Sequence, residues 1–284
     1  NAAITLNGRL LKTSEGDWPR LVIDLTDDIL RFDRPNDLQV ELDDQLSARE
    51  SIPLKPKLYD PQSWSGIFSD VLLVSMPTVT VEDINWSTVI AEDISSAEWV
   101  LNLDLRAHAG SDGDSLSTRA LRVHAELQAP GDSTGQASDA VEIEMNALET
   151  ESVQLTGTVS ELETWSVAQP RLYTITIAVE DGESKYTIPV KVGFRSLSWN
   201  NGELSLNNEA IELRGIDYRQ ETNQSGGAIL VSDIENDLSR IRNQGFNLVR
   251  VIGSSPHPST YQICDQLGLL LLPSTGLRGV PGQL

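Results

Sequence analysis

The apolar and polar positions along this chain fall into three successive regimes. Near the start, "AITLNGRLL" alternates on either side of an Asn-Gly pair, a short-range hairpin signal. "RLVIDLT" and "NDLQVEL" alternate too, and each predicts a strand. A Pro-rich stretch, "IPLKPKLYDPQ", then leads into "GIFSDVLLVSMP", whose run "VLLV" predicts a strand buried on both faces. Residues 3–76 read as one β unit, and Pro77 punctuates its end. From 77 to 195 the pattern predicts seven more strands, from "TVTVEDINW" and "AEWVLNLDLRAHA" to "YTITIAVED" and "KYTIPVKVGF", separated by Gly, Asp and Ser clusters. Seven strands in about 120 residues suit an immunoglobulin-like sandwich.

At residue 196 the period changes. "GELSLNNEAIELRGI" predicts a hairpin running into a strand, and "SDIENDLSRIRNQG" a helix. Ser232 and Glu235 have the spacing of a capping box, Ile234, Leu238 and Ile241 share one face, and Gly245 supplies a left-handed stop. "FNLVRVI" is a strand, "STYQICDQLG" a second helix ended by glycine, and "LLLLP" a further strand. The order β-α-β-α-β with apolar strands implies parallel pairing and right-handed crossovers. Residues 196–284 thus read as the first units of an α/β barrel. The predicted fold class is mainly β with an α/β C-terminal part.

Charge narrows the partners. The 284 residues carry 21 Lys+Arg against 42 Asp+Glu, a formal charge of −21. That field repels phosphate backbones and anionic membranes, so nucleic acid is not an expected partner. The single cysteine, Cys264, sits in the apolar pattern of a helix and reads as a buried structural thiol. There is no CxxC, HExxH or EF-hand spacing, and no metal or cofactor is expected. "GSSPHPS" lacks a serine-hydrolase elbow. The opening "NAA" looks like a cloning scar, and "ITLNG" begins inside a strand, so the chain is expected to come from a longer protein. The compartment is left open; a periplasmic or extracellular setting is the guess, without excluding the cytoplasm.

Four motifs in order resemble glycoside hydrolase family 2, which holds β-galactosidases, β-glucuronidases and β-mannosidases. "LNGRLL", "VIDLT", "NDLQVEL" and "WSGIFSDVLLVSMP" look like the latter part of its sugar-binding jelly-roll. "WSVAQPRLYTITI" is similar to its late-sandwich hallmark. "VGFRSL" and "LSLNNEAIELRGID" match its junction into the barrel. "DIENDLSRIRNQGFNLVRV" and "HPSTYQICDQLGLLLL" resemble the first helix to the third strand of that barrel. The resemblance divides the chain into a partial jelly-roll (3–76), an immunoglobulin-like sandwich (77–195) and the start of a (β/α)8 barrel (196–284). It implies hydrolysis of β-O-glycosidic bonds in carbohydrates by a retaining mechanism.

That mechanism needs two carboxyl groups roughly 5–5.5 Å apart. The family's glutamates end barrel strands four and seven, beyond the three strands predicted here, so the chain alone is expected to be catalytically silent. By resemblance, Arg250 is the arginine that hydrogen-bonds the nucleophilic carboxylate, and His257 aligns with a loop histidine after strand two. Asp217 and Tyr218, at the end of strand one, are candidate substrate contacts. Several positions depart from the family pattern. Asp217, Tyr218, Arg219 and Gln220 stand where Asn, Arg, His and Glu are common, Gly253 replaces an expected site histidine, and Pro273-Ser274 replaces an acidic pair. These departures leave a second expectation: a relative that binds glycans or partners without hydrolysing them. Trp86, Trp99, Trp165 and Trp199 are read as packing residues, and Trp18 and Trp64 as the candidates for sugar contact. "LLLL" is expected to form an edge that drives self-association or to fold back on the sandwich.

Overall fold

A computed structural model describes residues 2–14, 21–25, 28–43, 66–67, 70–108, 118–132, 134–182, 184–200, 202–222, 226–253 and 255–274. Trp18 and Trp64 lie outside them. At the start, β1 (Ala2–Leu6), β2 (Arg9–Ser14) and β3 (Leu38–Leu42) form an antiparallel sheet in the order β2-β1-β3. Asn7 and Gly8 turn the hairpin with φ of 55° and 85°, the pair of left-handed residues that a two-residue loop needs. The Asn7 side chain also donates to the Ile29 carbonyl at 2.9 Å. Ala2 and Ala3 are paired on both sides, with Ser14 and Thr13 and with Leu42 and Glu41, so they belong to the sheet rather than lying outside the fold.

Two predicted strands of this region do not form. Residues 21–25 carry no strand, and neither do Val71–Val74, whose side chains are 61–84% exposed. An apolar run forms a strand only where a neighbour pairs its backbone and covers its side chains. Among the described residues no strand lies beside either segment.

Among the described residues the central sandwich has eight strands: β4 (Val79–Ile90), β5 (Ser96–Ala107), β6 (Arg119–Gln128), β7 (Gly135–Ala137), β8 (Val141–Met145), β9 (Thr150–Ser160), β10 (Tyr173–Asp181) and β11 (Ser184–Val192). The unpredicted one, β7, has only three residues, too few for alternation to reveal. β4, β5 and β9 make one sheet; β11, β10, β6 and β7, with β8 also on β6, make the other. Strict alternation along β5 buries Ala97, Trp99, Leu101, Leu103, Leu105 and Ala107 between them. Trp86 stacks on Trp99 at 5.6 Å, and Phe194 meets Trp86 and Tyr173 edge-on.

A meander, β12 (Leu197–Asn200), β13 (Glu203–Leu206) and β14 (Glu209–Ala210), leads out of the sandwich. Trp199 on β12 is 68% exposed, contrary to its reading as a packing residue: it lies on an uncovered part of this small meander, as does Leu197 two residues before it. Then β15 (Gly215–Tyr218), α1 (Val231–Asn243), β16 (Leu248–Val251), α2 (Pro258–Leu267) and β17 (Leu270–Leu272) follow in the predicted order. The three strands are parallel and adjacent in the order β15-β16-β17. The helices cover one face, where Ile234, Leu238, Val249, Val251, Ile263, Cys264 and Leu269 form a second core. Leu269 and Leu271 of the "LLLL" run join that core rather than the sandwich.

The capping box at Ser232 does not form. Leu230 is the N-cap of α1, with its carbonyl accepting from Asp233 and Ile234, so Ser232 is already inside the first turn. No side chain caps this end; Asp233 in the first turn favours the helix dipole instead. Gly245, with φ of +89°, does end α1 in left-handed geometry.

The hallmark segment "WSVAQP" clasps the barrel strands to the sandwich. Trp165 is fully buried, and its indole Nε1 donates to the Asp265 carbonyl near the end of α2 at 2.7 Å. Arg195 lies 4.7 Å over the same ring and pairs with the Asp265 carboxylate at 2.8 Å. From the other helix, Arg242 donates to the Val167 carbonyl at 2.6 Å and to the Leu267 carbonyl at 3.0 Å.

Candidate functional site at the barrel strand ends

Alternation divides the residues of β15–β17 between two faces. Ile216, Tyr218, Val249, Val251 and Leu271 point into the helix-covered core. Gly215, Asp217, Leu248, Arg250, Leu270 and Leu272 take the opposite, open face. In a closed barrel that face is the interior, and its C-terminal strand ends are where chemistry is placed.

Asp217 and Arg250 are direct partners in the parallel register. Arg250 Nε donates to Asp217 Oδ1 at 2.6 Å and Nη2 to Oδ2 at 2.7 Å, a two-pronged pair of the geometry that guanidinium and carboxylate favour. Hydrogen bonding to Asp217, then the charge of that carboxylate, holds the Arg250 guanidinium above its usual range. Both side chains remain about half exposed, 55% and 46%, so the pair is open to a ligand.

Tyr218 does not share that face. It is 7% exposed, and its hydroxyl donates to Asp237 on α1 at 3.3 Å. Burial, then the Asp237 charge, pushes its phenol well above the ordinary value.

His257 is the N-cap of α2. Its Nδ1 accepts from the Ser259 N–H at 3.2 Å, ahead of Pro258 at the first helical position. Its own N–H donates to Gln220 Oε1 at 2.7 Å, while Gln220 Nε2 donates to Thr260 Oγ1 at 2.6 Å. Gln220 and Thr260 are both buried. The loop after β15 is thereby fastened to the N-terminus of α2, a connection that local sequence patterns do not contain.

Gly253 adopts a φ of +100°, and a Cβ there would lie 3.3 Å from Arg219 Nη1. Arg219 itself pairs with Glu221 at 3.1 Å. The glycine in the expected histidine position thus has a backbone conformation that disfavours any side chain. Cys264 is buried, and burial, then Asp265, pushes its thiol up to about 12. It is structural, as expected. The described residues hold no group of His, Cys, Asp and Glu arranged to bind a metal.

An immunoglobulin-like sandwich is thus followed by parallel βα units that carry an arginine on their open face. Profiles of the family agree: "Glycosyl hydrolases family 2" matches residues 79–195, and its "TIM barrel domain" matches residues 197–281. The chain belongs to glycosyl hydrolase family 2. It is 30% identical over 226 residues to a β-galactosidase of Leuconostoc mesenteroides, covering 77% of this chain and 21% of that protein. It is 27% identical over 225 residues to a β-galactosidase of Psychromonas ingrahamii, covering 78% and 21%. The chain thus spans about a fifth of the length of these relatives. The fold is shared with a solved β-glucuronidase 2 of Bacteroides uniformis at a TM-score of 0.74 and 21% identity, covering 95% of this chain and 32% of that one.

Proposed function

We propose that the protein carrying this chain hydrolyses β-O-glycosidic bonds in carbohydrates by a retaining mechanism, and that this chain is its non-catalytic front portion. The observation that carries this reading is Arg250, held by Asp217 on the open face at the barrel strand ends. A guanidinium fixed there stabilises a neighbouring nucleophilic carboxylate in its ionised form. By the family resemblance the acid/base and nucleophile come from later barrel strands, and the described carboxylates near these strand ends, Asp217 and Glu221, are paired with Arg250 and Arg219. The sandwich braces the first barrel units through Trp165, Arg195 and Arg242.

A second reading is favoured by the altered loops. Gln220 is tied to His257 and Thr260, and Gly253 leaves no side chain at its site, so polar contacts expected of a sugar subsite are redirected inward. In that reading the protein binds glycans without turning them over. Assaying the full-length protein with 4-nitrophenyl β-glycosides separates the two. Release of nitrophenol, lost in Arg250→Ala, supports the hydrolase; saturable sugar binding without release supports the binding protein.

A further inference from the structure

Three consecutive residues at the end of β15 each grip the loop that leaves β16. The Tyr218 carbonyl accepts from the Ile252 N–H at 2.9 Å, one step beyond the last register pair, Tyr218 with Val251. Arg219 lies across Gly253: the position a Cβ would take there is 3.3 Å from the arginine Nη1, 3.8 Å from its Cζ and 3.9 Å from its Cγ. Gln220 reaches furthest, accepting from the His257 N–H and donating to Thr260 Oγ1. The first and third grips are hydrogen bonds. The middle one is a fit of shape, in which the arginine, from Cγ to guanidinium, fills the space that a side chain at 253 would enter. Glu221 pairs with Arg219 in that pose at 3.1 Å. Arg219 and Gly253 are two of the positions that depart from the family pattern, and the geometry makes them one change: an arginine laid down at 219 needs glycine at 253.

Arg250 stands on β16 two residues before Ile252. Strand ends fray where few buried contacts hold them, so a seam that continues past the last register pair steadies the residues just inside it. We propose that Arg219 is a positioning residue: seated on Gly253, it keeps the ends of β15 and β16 closed and so fixes the Arg250 guanidinium for its part beside the nucleophilic carboxylate. This rests on the reading of Arg250 given above. Arg219 acts here through the backbone of β16 and not by touching the sugar.

The test uses the full-length protein and a 4-nitrophenyl β-glycoside. Arg219→Ala empties the seat and is expected to lower kcat about tenfold, because slight misplacement of a group near the reacting atoms is costly, with KM held within about twofold. Gly253→His displaces the arginine from the other side and is expected to lower kcat at least as much, since it also meets backbone strain at φ +100°. The double variant is expected to fall no further than Gly253→His alone, whereas independent effects would multiply to about a hundredfold or more. Multiplying losses, or a change confined to KM, overturn the proposal. Hydrogen exchange reads the same seam without turnover and without the histidine variant, should that one fail to fold in thermal melts. The Ile252 and His257 amides are expected to exchange severalfold faster in Arg219→Ala, and unchanged exchange at both overturns the proposal. Absence of turnover in the wild type sinks the hydrolase reading alone; the exchange result then upholds or overturns the seam.

Discussion

Two glycines end the two helices, and a side chain would meet a neighbour at only one of them. Gly245 (φ +89°) has nothing within 4 Å of the position a Cβ would take, whereas a Cβ on Gly268 (φ +72°) would overlap the Val167 carbonyl oxygen of the sandwich. Replacing each by alanine therefore separates two costs. Gly245→Ala meets only left-handed backbone strain, offset in part by a stiffer unfolded chain, for a net loss of about 1 kcal/mol. Gly268→Ala meets the same strain and must also push α2 away from backbone. Overpacking costs about 1–3 kcal/mol, and the displaced helix weakens hydrogen bonds from Trp165 to Asp265 and from Arg242 to Val167. Roughly 3–5 kcal/mol in total is expected, a gap of about 2–4 kcal/mol between the variants. Equilibrium urea unfolding followed by tryptophan fluorescence reads it as a midpoint about 1 M lower or more for Gly268→Ala than for Gly245→Ala. Two variants with midpoints indistinguishable from each other would refute the claim that the "WSVAQP" segment is packed against the end of α2.

Other consequences are smaller or are read differently. His257→Ala removes the N-cap of α2 and should cost about 1 kcal/mol in thermal unfolding, while His257→Asn recovers most of it; equal losses would mean that the ring is not the cap. Cys264 should resist a disulfide reagent at pH 8 unless urea is added. Its folded thiol is pushed up from 9.0 to about 12, so its contribution to stability is full below pH 9 and falls as pH rises toward 12, where the unfolded chain ionises first. A Cys264→Ala variant should therefore lose less stability over that alkaline range than the wild type. β17 is paired only with β16 among the described strands, so sedimentation should show the isolated chain associating with rising concentration, an effect that Leu272→Lys suppresses. Slow amide exchange throughout residues 269–272 in a strict monomer would contradict the open edge.

The sequence announces what is decided locally. The Asn7-Gly8 turn, the alternation of β5 and the glycines after both helices each carry their own physical cause, and each lies where the pattern places it. It fails where the deciding contact is distant. "VLLV" states that four side chains favour burial; it cannot state whether a neighbouring strand is there to bury them. Ser232 and Glu235 have the right spacing, yet α1 begins before them, because its start is set at Leu230. Asp217 and Arg250 are visible singly as strand-end residues, and their pairing follows only once the register of two parallel strands is known. Tyr218 adjoins Asp217 in sequence, and the period of two turns it to the other side of the sheet.

The barrel strand ends are also tied to the sandwich. α2 has ten residues, about 15 Å of helix. Near its C-terminal end Asp265 is gripped by Trp165 and Arg195 of the sandwich. At its N-terminus His257 and Thr260 are tied through Gln220 to the loop after β15, three residues beyond Asp217. One rigid element thus connects the hallmark tryptophan to the strand end that holds Arg250. The clasp around Trp165 is far from any bound sugar in sequence, but it fixes the height at which α2 sits against the sheet. A shift of α2 would be passed to the Gln220 loop through His257 and Thr260, and to Val249 and Val251 through the core that they share with Ile263 and Cys264.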